Sequence, residues 1–563
     1  MNLFAIALIA CVVFMLGYHF YGGLLSRWFQ LSPSTPTPAS TINDGVDYVP
    51  AKAPFLLGQH FSAIAAAGPI VGPILGALWF GWLPTLLWIV GGAIFFGAVH
   101  DFSTLVTSVR HNARSIVELV HEHLGGRAHG LFMAFVWLSL IYVIIAFTDL
   151  TSSSFIEPTY GGAVATASSL YLLIGLIMGV CLYRLRMPLG ITTAIFLPLV
   201  GLTIWGGQFI PLILPSIGSL RPQLVWDLII LGYCFLASII PVWLLLQPRG
   251  YLGGFFLYVT LAAGLVGLFL GGDHVRYPAF LGWTSQRGAP LFPLLFVTVA
   301  CGACSGFHGI VSSGTTSKQI AHEPDCRLVG YGGMLLEGLV AVIALSTVML
   351  LSPHEAVTQA SPDRIYANGL SHFVERFGVN RDFARSFALL AFATFIYDTL
   401  DVATRLGRYI FQELTGWKGR WGSIGATIAT LALPALSVTW TVHDTAGNIV
   451  PAWKVFWTLF GTSNQLLAAL TLFTITLWLR RTQRPWLVSA LPCAFMVVMT
   501  LWSLGLTISP WLRELFLGHP HVNVVSAVAL LLLGLAVLVL MEGVKALRRP
   551  MSVGRAEGTG EGG

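Results

Sequence analysis

The sequence predicts an all-α protein that crosses a membrane with about 15 helices. Three observations lead to this prediction: 56% of the 563 residues are hydrophobic, only 10% are charged, and the apolar residues are gathered in long runs. Soluble domains carry about 25% charged residues. A chain this apolar cannot cover its own surface with polar groups, so we expect the lipid bilayer to be its main partner.

The apolar runs give the positions of the predicted spans, since a membrane-crossing helix needs about 20 apolar residues. In chain order the spans are 2–22, 54–80, 82–108, 127–149, 164–183, 188–208, 224–247, 253–271, 290–313, 328–351, 383–412, 421–441, 452–478, 485–506 and 523–546. The first run lacks a basic leading segment and a clear cleavage site, so we interpret it as a retained helix rather than a signal peptide.

The segments between the spans are short, which predicts one transmembrane domain over residues 1–549. Residues 111–126 are predicted to form a short interfacial helix, and 352–382 form the longest outer loop. The Gly-rich residues 550–563 are predicted to be a disordered cytoplasmic tail.

Basic residues orient the predicted spans. Most of the 30 lysines and arginines fall in the loops after odd-numbered spans, Arg249 and Lys318 among them. The positive-inside rule places these loops in the cytoplasm, with the N-terminus outside and the C-terminus inside. The basic residues form no patch, so we expect no nucleic-acid binding.

The second span contains two Gly-Pro pairs four residues apart. A proline cannot donate to the carbonyl four residues earlier, so the carbonyls of Ala65 and Pro69 are freed. In lipid these carbonyls need water, an ion, a hydroxyl or substrate as a partner, and broken helices of this kind build binding sites in secondary transporters. The alternative is a kink repaired by neighbouring side chains. The candidate ligands here are His60, Ala65, Gly68, Pro69 and Gly72.

The ninth span is the most polar for its depth. Ser305, His308, Ser312 and Thr315 recur at helical spacing and predict a polar stripe, and four glycines between 302 and 314 allow close approach or unwinding. Hydroxyls suit a small cation or an anionic substrate group, and His308 can take a proton. The alternative is packing by small residues whose hydroxyls bond back to helix carbonyls. Ser313 and Thr316 complete this candidate set.

Carboxylates inside predicted spans are the candidate proton carriers, because such groups are costly in lipid and usually functional. They are Asp101 in the third span and Asp398 and Asp401 in the eleventh. Asp401 has ion-pair spacing to Arg405, so a structural pair is the alternative there, whereas Asp398 has no obvious local partner.

Three further features bear on the class of protein. Asn464 and Gln465 in the thirteenth span offer amides for a substrate carboxylate or for helix packing. Cys301 and Cys304 spell a CxxC inside an apolar run, where we expect packing rather than a metal or redox site. No GxxxxGK[ST] motif occurs, so the energy for transport is expected from an ion gradient, without an organic cofactor.

Several segments resemble the carbon starvation protein A (CstA) family, in the family's order and over most of the chain. They are Asn43–Pro50, His60-Phe61 with Gly68–Pro73, Gly97–Phe102, Pro241–Trp243 with Pro248-Arg249, Cys301–Lys318, Gly330–Met334 and Phe460–Leu467. The resemblance implies an inner-membrane transporter induced when carbon runs short, associated with peptide uptake and, in some members, with proton-coupled pyruvate import.

The resemblance also implies a LeuT-like core of the amino acid–polyamine–organocation type, an inverted five-plus-five helix repeat. It would cover residues 54–412, with spans two to six and seven to eleven as the two repeats. The broken second span would then lie beside the ninth, where that fold binds its coupling ion.

We therefore expect a non-enzymatic secondary transporter of the bacterial inner membrane. It would import a short peptide or pyruvate with a proton, by alternating access. Both substrates present a carboxylate, so both stay open, and sodium is the alternative coupling ion. A nutrient sensor without transport and an intramembrane enzyme are the rival classes. The first would need a cytoplasmic signalling module and the second a catalytic dyad or metal triad, and we find neither pattern in the sequence. The sequence gives no indication of oligomeric state.

Overall fold

A computed structural model describes residues 2–44, 48–218, 220–241, 243–286, 288–353, 355, 358, 360–440, 451–518 and 524–548. Helices account for the architecture, and within these ranges only isolated β-bridges occur in place of strands. The all-α prediction is confirmed. The predicted disordered tail, 550–563, lies outside the described residues.

The N-terminal half of the chain contains thirteen α-helices. They are α1 (Leu3–Leu16), α2 (Gly22–Trp28), α3 (Pro38–Ile42), α4 (Ala53–Ile64), α5 (Gly68–Phe80), α6 (Trp82–Gly92), α7 (Ala98–Arg110), α8 (Ile116–Leu124), α9 (Gly126–Phe155), α10 (Gly161–Tyr183), α11 (Leu189–Gly207), α12 (Pro222–Ile239) and α13 (Leu246–Leu270). π-Helical turns at Gly17–Tyr21 and Ala93–Gly97 join α1 to α2 and α6 to α7.

The C-terminal half contributes nine more α-helices among the described residues. They are α14 (Leu291–Thr298), α15 (Gly306–Gly314), α16 (Gly333–Met349), α17 (Pro362–Glu375), α18 (Arg381–Thr415), α19 (Gly419–Thr439), α20 (Ala452–Arg481), α21 (Leu487–Phe516) and α22 (Val524–Arg548). A 3-10 turn, Thr316–Gln319, follows α15, and a π-helical turn, Arg327–Gly332, leads into α16.

Thirteen described helices are long and apolar enough to cross a membrane, and the bent pair α4–α5 raises the number to 14. The predicted number of about 15 included the ninth span, 290–313, as one helix. The structure divides it into α14 and α15, which have only 8 and 9 residues and are separated by an irregular segment. Of the glycines predicted to allow unwinding, Gly302 lies in this break, whereas Gly306, Gly309 and Gly314 belong to α15.

The second span breaks where its Gly-Pro pairs predicted. α4 and α5 are inclined by 53° across Ala65–Ala67. Pro69 lies in the first turn of α5, where its missing N–H costs nothing, and Pro73 lies inside the helix. The break itself therefore frees the carbonyl of Ala65, whereas Pro73 frees that of Pro69.

Enclosure differs strongly among the helices. α9, α16, α18 and α20 are surrounded by other helices along most of their length, whereas α1, α11 and α22 keep much of their apolar surface outward. Exposed leucines, valines and phenylalanines on the outer helices suit contact with lipid tails. Polar side chains on the four enclosed helices are thus shielded from lipid.

The elements after the two broken helices recur in the same order. A long span, a short helix (α8 or α17) and another long span (α9 or α18) follow each break. Two further long helices come later in each half of the chain, α12 and α13 in the first and α19 and α20 in the second. Their positions correspond, because α12 packs on α18 in the second half and α19 packs on α9 in the first half. This order favours units of Ala53–Leu270 and Leu291–Arg481. The second unit therefore starts at the ninth span, not the seventh, and extends beyond the expected end at 412. The inverted five-plus-five repeat itself stays a prediction.

Candidate functional site

The two broken helices meet at their breaks. Gly72 of α5 lies against the end of α14, and a Cβ there would be 2.7 Å from the carbonyl oxygen of Thr298. Gly302, in the break between α14 and α15, approaches Pro69 in the same way, with its ideal Cβ 3.7 Å from the Pro69 Cα. Only glycine permits the approach at Gly72. The two irregular segments thus pack against each other's helices, and the carbonyls of Thr298 and Val299 accept from the indole N–H groups of Trp457 and Trp88.

Beside this junction lies a fully buried set of ionisable side chains, the His308 cluster: His100, Asp101, His308 and Glu337. Asp101 lies between two imidazoles, since its Oδ1 is 2.8 Å from His100 Nδ1 and its Oδ2 is 2.8 Å from His308 Nδ1. On the other side of its ring, His308 Nε2 is 3.1 Å from Glu337 Oε2, an ion-pair contact whose angles miss those of a hydrogen bond. One imidazole thus bridges two carboxylates from α7 and α16.

His60 extends the cluster toward the second span. It lies in α4, one turn before the break, and its Nδ1 is 2.9 Å from Thr316 Oγ1. Its Nε2 is buried and has no hydrogen-bond partner among the described residues. Two residues predicted from separate motifs, His60 and Thr316, therefore contact each other across 256 positions of sequence.

Glu337 is a site residue that the sequence interpretation missed. It lies in α16 at a fully buried position. A signal was present, because the run Met334–Val342 is apolar except for this carboxylate, and carboxylates inside spans are usually functional. The predicted polar stripe lay in the ninth predicted span, and the single carboxylate of the tenth predicted span was not included among the candidates.

A second buried set, the Arg249 cluster, comprises Arg249, Tyr233, Asp398 and Asp401. Arg249 Nη2 pairs with Asp398 Oδ1, and Nη1 lies 2.6 Å from Asp401 Oδ2 and donates to the Tyr233 hydroxyl. The hydroxyl in turn donates to Asp401 Oδ2 over 2.7 Å. Two carboxylates on α18 and one guanidinium on α13 thus share a site closed by α12.

The Arg249 cluster corrects two predictions. Arg249 lies in the first turn of α13 with no exposed surface, not in a cytoplasmic loop. Asp398 has no local partner, as predicted, but pairs with the distant Arg249. Among the described residues, Asp401 pairs with Arg249 rather than with Arg405. Arg405 instead donates to the carbonyls of Ala237 and Ile240 at the end of α12.

One helix connects the two clusters. Ser62 follows His60 by two residues in α4, and its hydroxyl donates to the carbonyl of Gly250 over 3.2 Å. A Cβ on Gly253 would lie 3.6 Å from that hydroxyl and 2.7 Å from Asp398 Oδ2. The last turns of α4 therefore face the His308 cluster through His60 and the Arg249 cluster through Ser62.

The hydroxyls of the predicted stripe have mostly local partners. Ser313 donates to Gly309 over 2.6 Å and Thr315 donates to Val311 over 3.0 Å, as expected for helix back-bonding. Ser312 Oγ is fully buried and, within the described ranges, has no hydrogen-bond partner. Of these three hydroxyls, only that of Ser312 is left for a ligand.

The amides of the thirteenth span hold the ninth span in place. Asn464 Oδ1 accepts from the Phe307 backbone N–H over 2.9 Å and from the Ser305 hydroxyl over 3.3 Å, which caps the start of α15. Gln465 Nε2 donates over 2.6 Å to the carbonyl of Phe296 in α14. Of the two roles left open for these residues, the structure shows helix packing.

A cavity of about 330 Å³ opens beyond the end of α15. Tyr48, Arg114, Ser313 and Lys318 contribute to its lining, and two of these four side chains carry positive charge. The cavity therefore lies between the end of the ninth span and the segments that precede α4 and α8.

Three titratable side chains outside the spans gather where the end of α7 meets the last turn of α8. His111, Glu122 and His123 place their ligand-type atoms within 4.8 Å of one another. Arginines already engage them: Arg114 lies 3.2 Å from Glu122, and Arg481 contacts His123 Nδ1 at 3.3 Å. Burial, followed by the charges of His111 and Arg481, lowers the pKa of His123 to about 3. Two guanidinium groups at this spot disfavour a metal cation.

The carbon starvation protein CstA family model matches residues 2–368 and 354–503. The peptide transporter CstA of Escherichia coli K12 is 31% identical over 568 residues, covering 89% of this chain and 80% of the relative. The pyruvate/proton symporter BtsT of the same strain is 30% identical over 581 residues, covering 88% and 80%. The peptide transporter CstA of Bacillus subtilis 168 is 31% identical, covering 74% and 75%.

Solved structures show a more distant likeness. The transporter MhsT in complex with L-phenylalanine is 14% identical with a TM-score of 0.47, covering 88% of this chain and 99% of the other. The Eremococcus coleocola manganese transporter in complex with an aromatic bis-isothiourea compound is 13% identical with a TM-score of 0.40, covering 92% and 100%.

Proposed function

Because the chain belongs to the carbon starvation protein CstA family, whose named relatives are transporters, we propose that it imports a small carboxylate-bearing nutrient together with a proton. The nutrient is a short peptide or pyruvate, the two substrates in the names of the relatives. Both substrates carry a carboxylate, so one anion site serves either. Membrane transport follows from the family and from the many spans. The identity of the coupling ion is what this proposal adds.

The observation that carries proton coupling is the position of His308 between Asp101 and Glu337. The three side chains are fully buried, next to the place where two helices break. Two carboxylates on either side of an imidazole favour binding of a proton by the set, and intramembrane chains of His and acidic residues form proton relays in transporters. Breaks in two adjacent helices provide the movable elements that alternating access requires.

The direction of import rests on the loop charges. We place the protein in the bacterial inner membrane with the N-terminus outside and the C-terminus in the cytoplasm, because most basic residues fall in loops on one side. The cavity near Lys318 then opens to the cytoplasm and offers positive charge to a departing carboxylate. Induction under carbon starvation is expected from the family.

Sodium coupling is the second candidate. The unpartnered Ser312 hydroxyl and the carbonyls freed by the breaks favour it, because oxygen ligands suit a hard cation. The imidazoles of the His308 cluster do not suit sodium, so a proton is the better match for the whole set.

Uptake by proteoliposomes tests the proposal. Labelled pyruvate or di-alanine is supplied under an inward proton gradient, a sodium gradient, or neither. Accumulation that follows the proton gradient and collapses with a protonophore supports the proposal. Accumulation driven by sodium alone overturns proton coupling, and no uptake of either compound by folded protein overturns the substrate class. His308→Gln is expected to abolish accumulation, whereas Glu375→Gln, a half-exposed carboxylate in α17, serves as the matched control.

A further inference from the structure

We infer that Arg249 anchors the carboxylate of the substrate and that protonation of Asp398 frees Arg249 to do so. The inference rests on the proposed function. It assigns Arg249 to the substrate and Asp398 to the proton. It begins with the environment of a guanidinium that has no exposed surface and two carboxylates as neighbours.

The charges around Arg249 do not balance. With both aspartates ionised, Arg249 and its two carboxylate partners carry a net charge of −1, and the positive charge of Arg405 acts on Asp401 only beyond ion-pair distance while its guanidinium donates to carbonyls of α12. Buried charges are stable only when paired and hydrogen-bonded. Adding one proton to the pair of aspartates brings the site to neutrality, so the cluster has a physical reason to bind a proton.

The hydrogen bonds of Arg249 are divided unequally between its two edges. Nη1 is held firmly by Asp401 and by the Tyr233 hydroxyl, which also donates to Asp401. Nη2 pairs with a single oxygen of Asp398. Nε, Asp398 Oδ2 and Asp401 Oδ1 are all buried and, as far as the structure describes the chain, lack hydrogen-bond partners.

The incomplete edge matches a carboxylate. Nε and Nη2 lie side by side in the plane of the guanidinium, and a carboxylate binds such an edge through two parallel hydrogen bonds. Asp398 uses one of these two donors and leaves the other idle. A substrate carboxylate that replaced Asp398 would satisfy both donors, and the opposite edge would stay fixed by Asp401.

Asp398 is also the carboxylate that a proton or a substrate reaches more easily. Its side chain is 9% exposed, compared with 1% for Asp401. Its free oxygen packs closely on Gly253, where a Cβ would be 2.7 Å away, and that Cβ position is also 3.6 Å from the Ser62 hydroxyl at the end of α4. The exchangeable partner of Arg249 is therefore next to the broken second span.

The other charged or titratable groups around the site do not replace Asp398. They are Tyr171 on α10, Cys234 on α12, and Tyr397 and Arg405 on α18. The Tyr171 hydroxyl donates to the carbonyl of Arg249 over 2.7 Å, and Arg405 caps the end of α12. Among these neighbours only Asp398 and Asp401 accept from the guanidinium.

The exchange conserves charge and protons. A proton binds the Asp398 carboxylate, its ion pair with Arg249 breaks, and the substrate carboxylate forms an ion pair with Nε and Nη2. On the opposite side of the membrane the substrate leaves, Asp398 releases the proton, and the original pair forms again. These groups carry −1, then 0, then −1 with a monocarboxylate bound, so the substrate-bound site has the same charge as the unliganded site.

Binding to purified protein in detergent tests the inference independently of transport. The probes are pyruvate and di-alanine, each compared with the analogue in which the carboxylate is replaced by a carboxamide, and the readout is the ligand-induced shift of thermal unfolding. In the wild type, carboxylate affinity should rise as pH falls, by up to about tenfold per pH unit when one proton is taken up. Asp398→Asn should make that affinity independent of pH and keep counterflow exchange, but lose accumulation under a proton gradient.

Arg249 variants complete the test. Arg249→Gln should abolish the preference for the carboxylate over the amide, and Arg249→Lys should restore part of it. Because removing Arg249 alone leaves two buried carboxylates uncompensated, Arg249→Gln is repeated with Asp398→Asn, which keeps the net charge at −1. Arg364→Gln, at a half-exposed pair with Glu157, is the control and should change nothing.

Two results would overturn the inference. One is a folded Arg249 variant that still prefers pyruvate to its amide as the wild type does. The other is Asp398→Asn with unchanged pH dependence of binding. Either result leaves proton-driven uptake by the wild type, and hence the proposed function, intact. Conversely, failure of wild-type uptake with normal Arg249-dependent binding would count against the proposed function alone.

Discussion

The side chains that define this molecule are buried charges in a setting that disfavours charge. Glu337 is the clearest example, because it has no exposed surface and its nearest charged partner is His308. A carboxylate in such a place is stable when it shares a proton or a counter-charge with a neighbour. Each side chain of the His308 cluster therefore depends on the protonation of the others.

Removing the carboxylate of Glu337 should uncouple the cluster. We expect Glu337→Gln to reduce proton-driven accumulation of pyruvate or di-alanine to the background level, since His308 would keep only Asp101 as a charged partner. Uptake in proteoliposomes measures the accumulation, and the amount of reconstituted protein is determined for the wild type and for Glu337→Gln. Normal accumulation by Glu337→Gln would show that Glu337 has only a packing role.

His123 should make stability depend on pH. Its folded-state pKa is about 3 because burial and two cationic neighbours disfavour the charged form, whereas an unfolded histidine titrates near 6.5. The unfolded chain therefore binds the extra proton first, and stability is lost as pH falls from 6.5 toward 3. At pH 5 the loss should be about 2 kcal/mol relative to pH 7.

The comparison of wild type with His123→Gln isolates this effect. Thermal unfolding in detergent is measured at pH 7 and pH 5 for both proteins. The variant should lose less stability on acidification than the wild type. Equal losses would mean that His123 is already protonated in the folded protein or remains hydrated.

At the scale of elements, the junction of two broken helices determines where the clusters lie. α5 reaches the end of α14 through Gly72, and Asn464 on α20 caps α15. Both contacts fix irregular backbone that would otherwise be costly at membrane depth. The breaks are therefore supported by neighbouring helices rather than by lipid.

A methyl group at Gly72 should separate the broken helices. Gly72→Ala places a Cβ 2.7 Å from the Thr298 carbonyl oxygen, which is backbone and cannot move aside cheaply. We expect a loss of about 1–3 kcal/mol in stability, as for overpacked sites, together with impaired uptake. Gly91→Ala in α6 is the matched control, since no heavy atom lies within 4 Å of its Cβ position. Similar behaviour of the two variants in thermal unfolding and uptake would contradict the proposed junction.

Several elements were predictable because their signals are local. The two Gly-Pro pairs predicted the break of the second span, and the helical spacing of polar residues drew attention to the ninth. The Arg249 cluster was not predictable, because Arg249 and Asp398 are 149 positions apart and a single sequence does not show which distant residues meet. The predicted eighth span also begins too late, at 253, whereas α13 begins at Leu246, because a proline such as Pro248 is tolerated in the first turn of a helix.

At the scale of the whole molecule, two units with the same order of elements meet at the junction of the broken helices. In the first unit, the additional helices α10 and α11 come between α9 and α12 in the chain. Glu337 lies on α16 and Asp398 and Asp401 lie on α18, two of the most enclosed helices, whereas the outer helices expose apolar surface. The other members of the two clusters lie on α7, α12, α13 and α15, so the ion pairs of both clusters join different helices.

The charge carried per cycle should depend on the substrate. If one proton accompanies each substrate, pyruvate import is electroneutral, whereas import of zwitterionic di-alanine moves one positive charge. An inside-negative potential of about 100 mV is worth about 2.3 kcal/mol per charge, so it should raise di-alanine accumulation by up to roughly 40-fold and leave pyruvate unchanged.

A potassium diffusion potential imposed on proteoliposomes measures this difference. The two substrates are compared at the same pH gradient, with empty liposomes as the control. An equal response of both substrates to voltage would rule out the stoichiometry of one proton per substrate for at least one of them.

The short distance along α4 between His60 and Ser62 has a consequence for energy conservation. Both residues belong to one helical segment that ends at the break, so a rotation of that segment would change the contact of His60 with Thr316 and the contact of Ser62 with the Gly250 carbonyl together. If a proton drives uptake as proposed, this linkage would keep either contact from cycling without the other. A carrier built in this way would lose few protons through slippage.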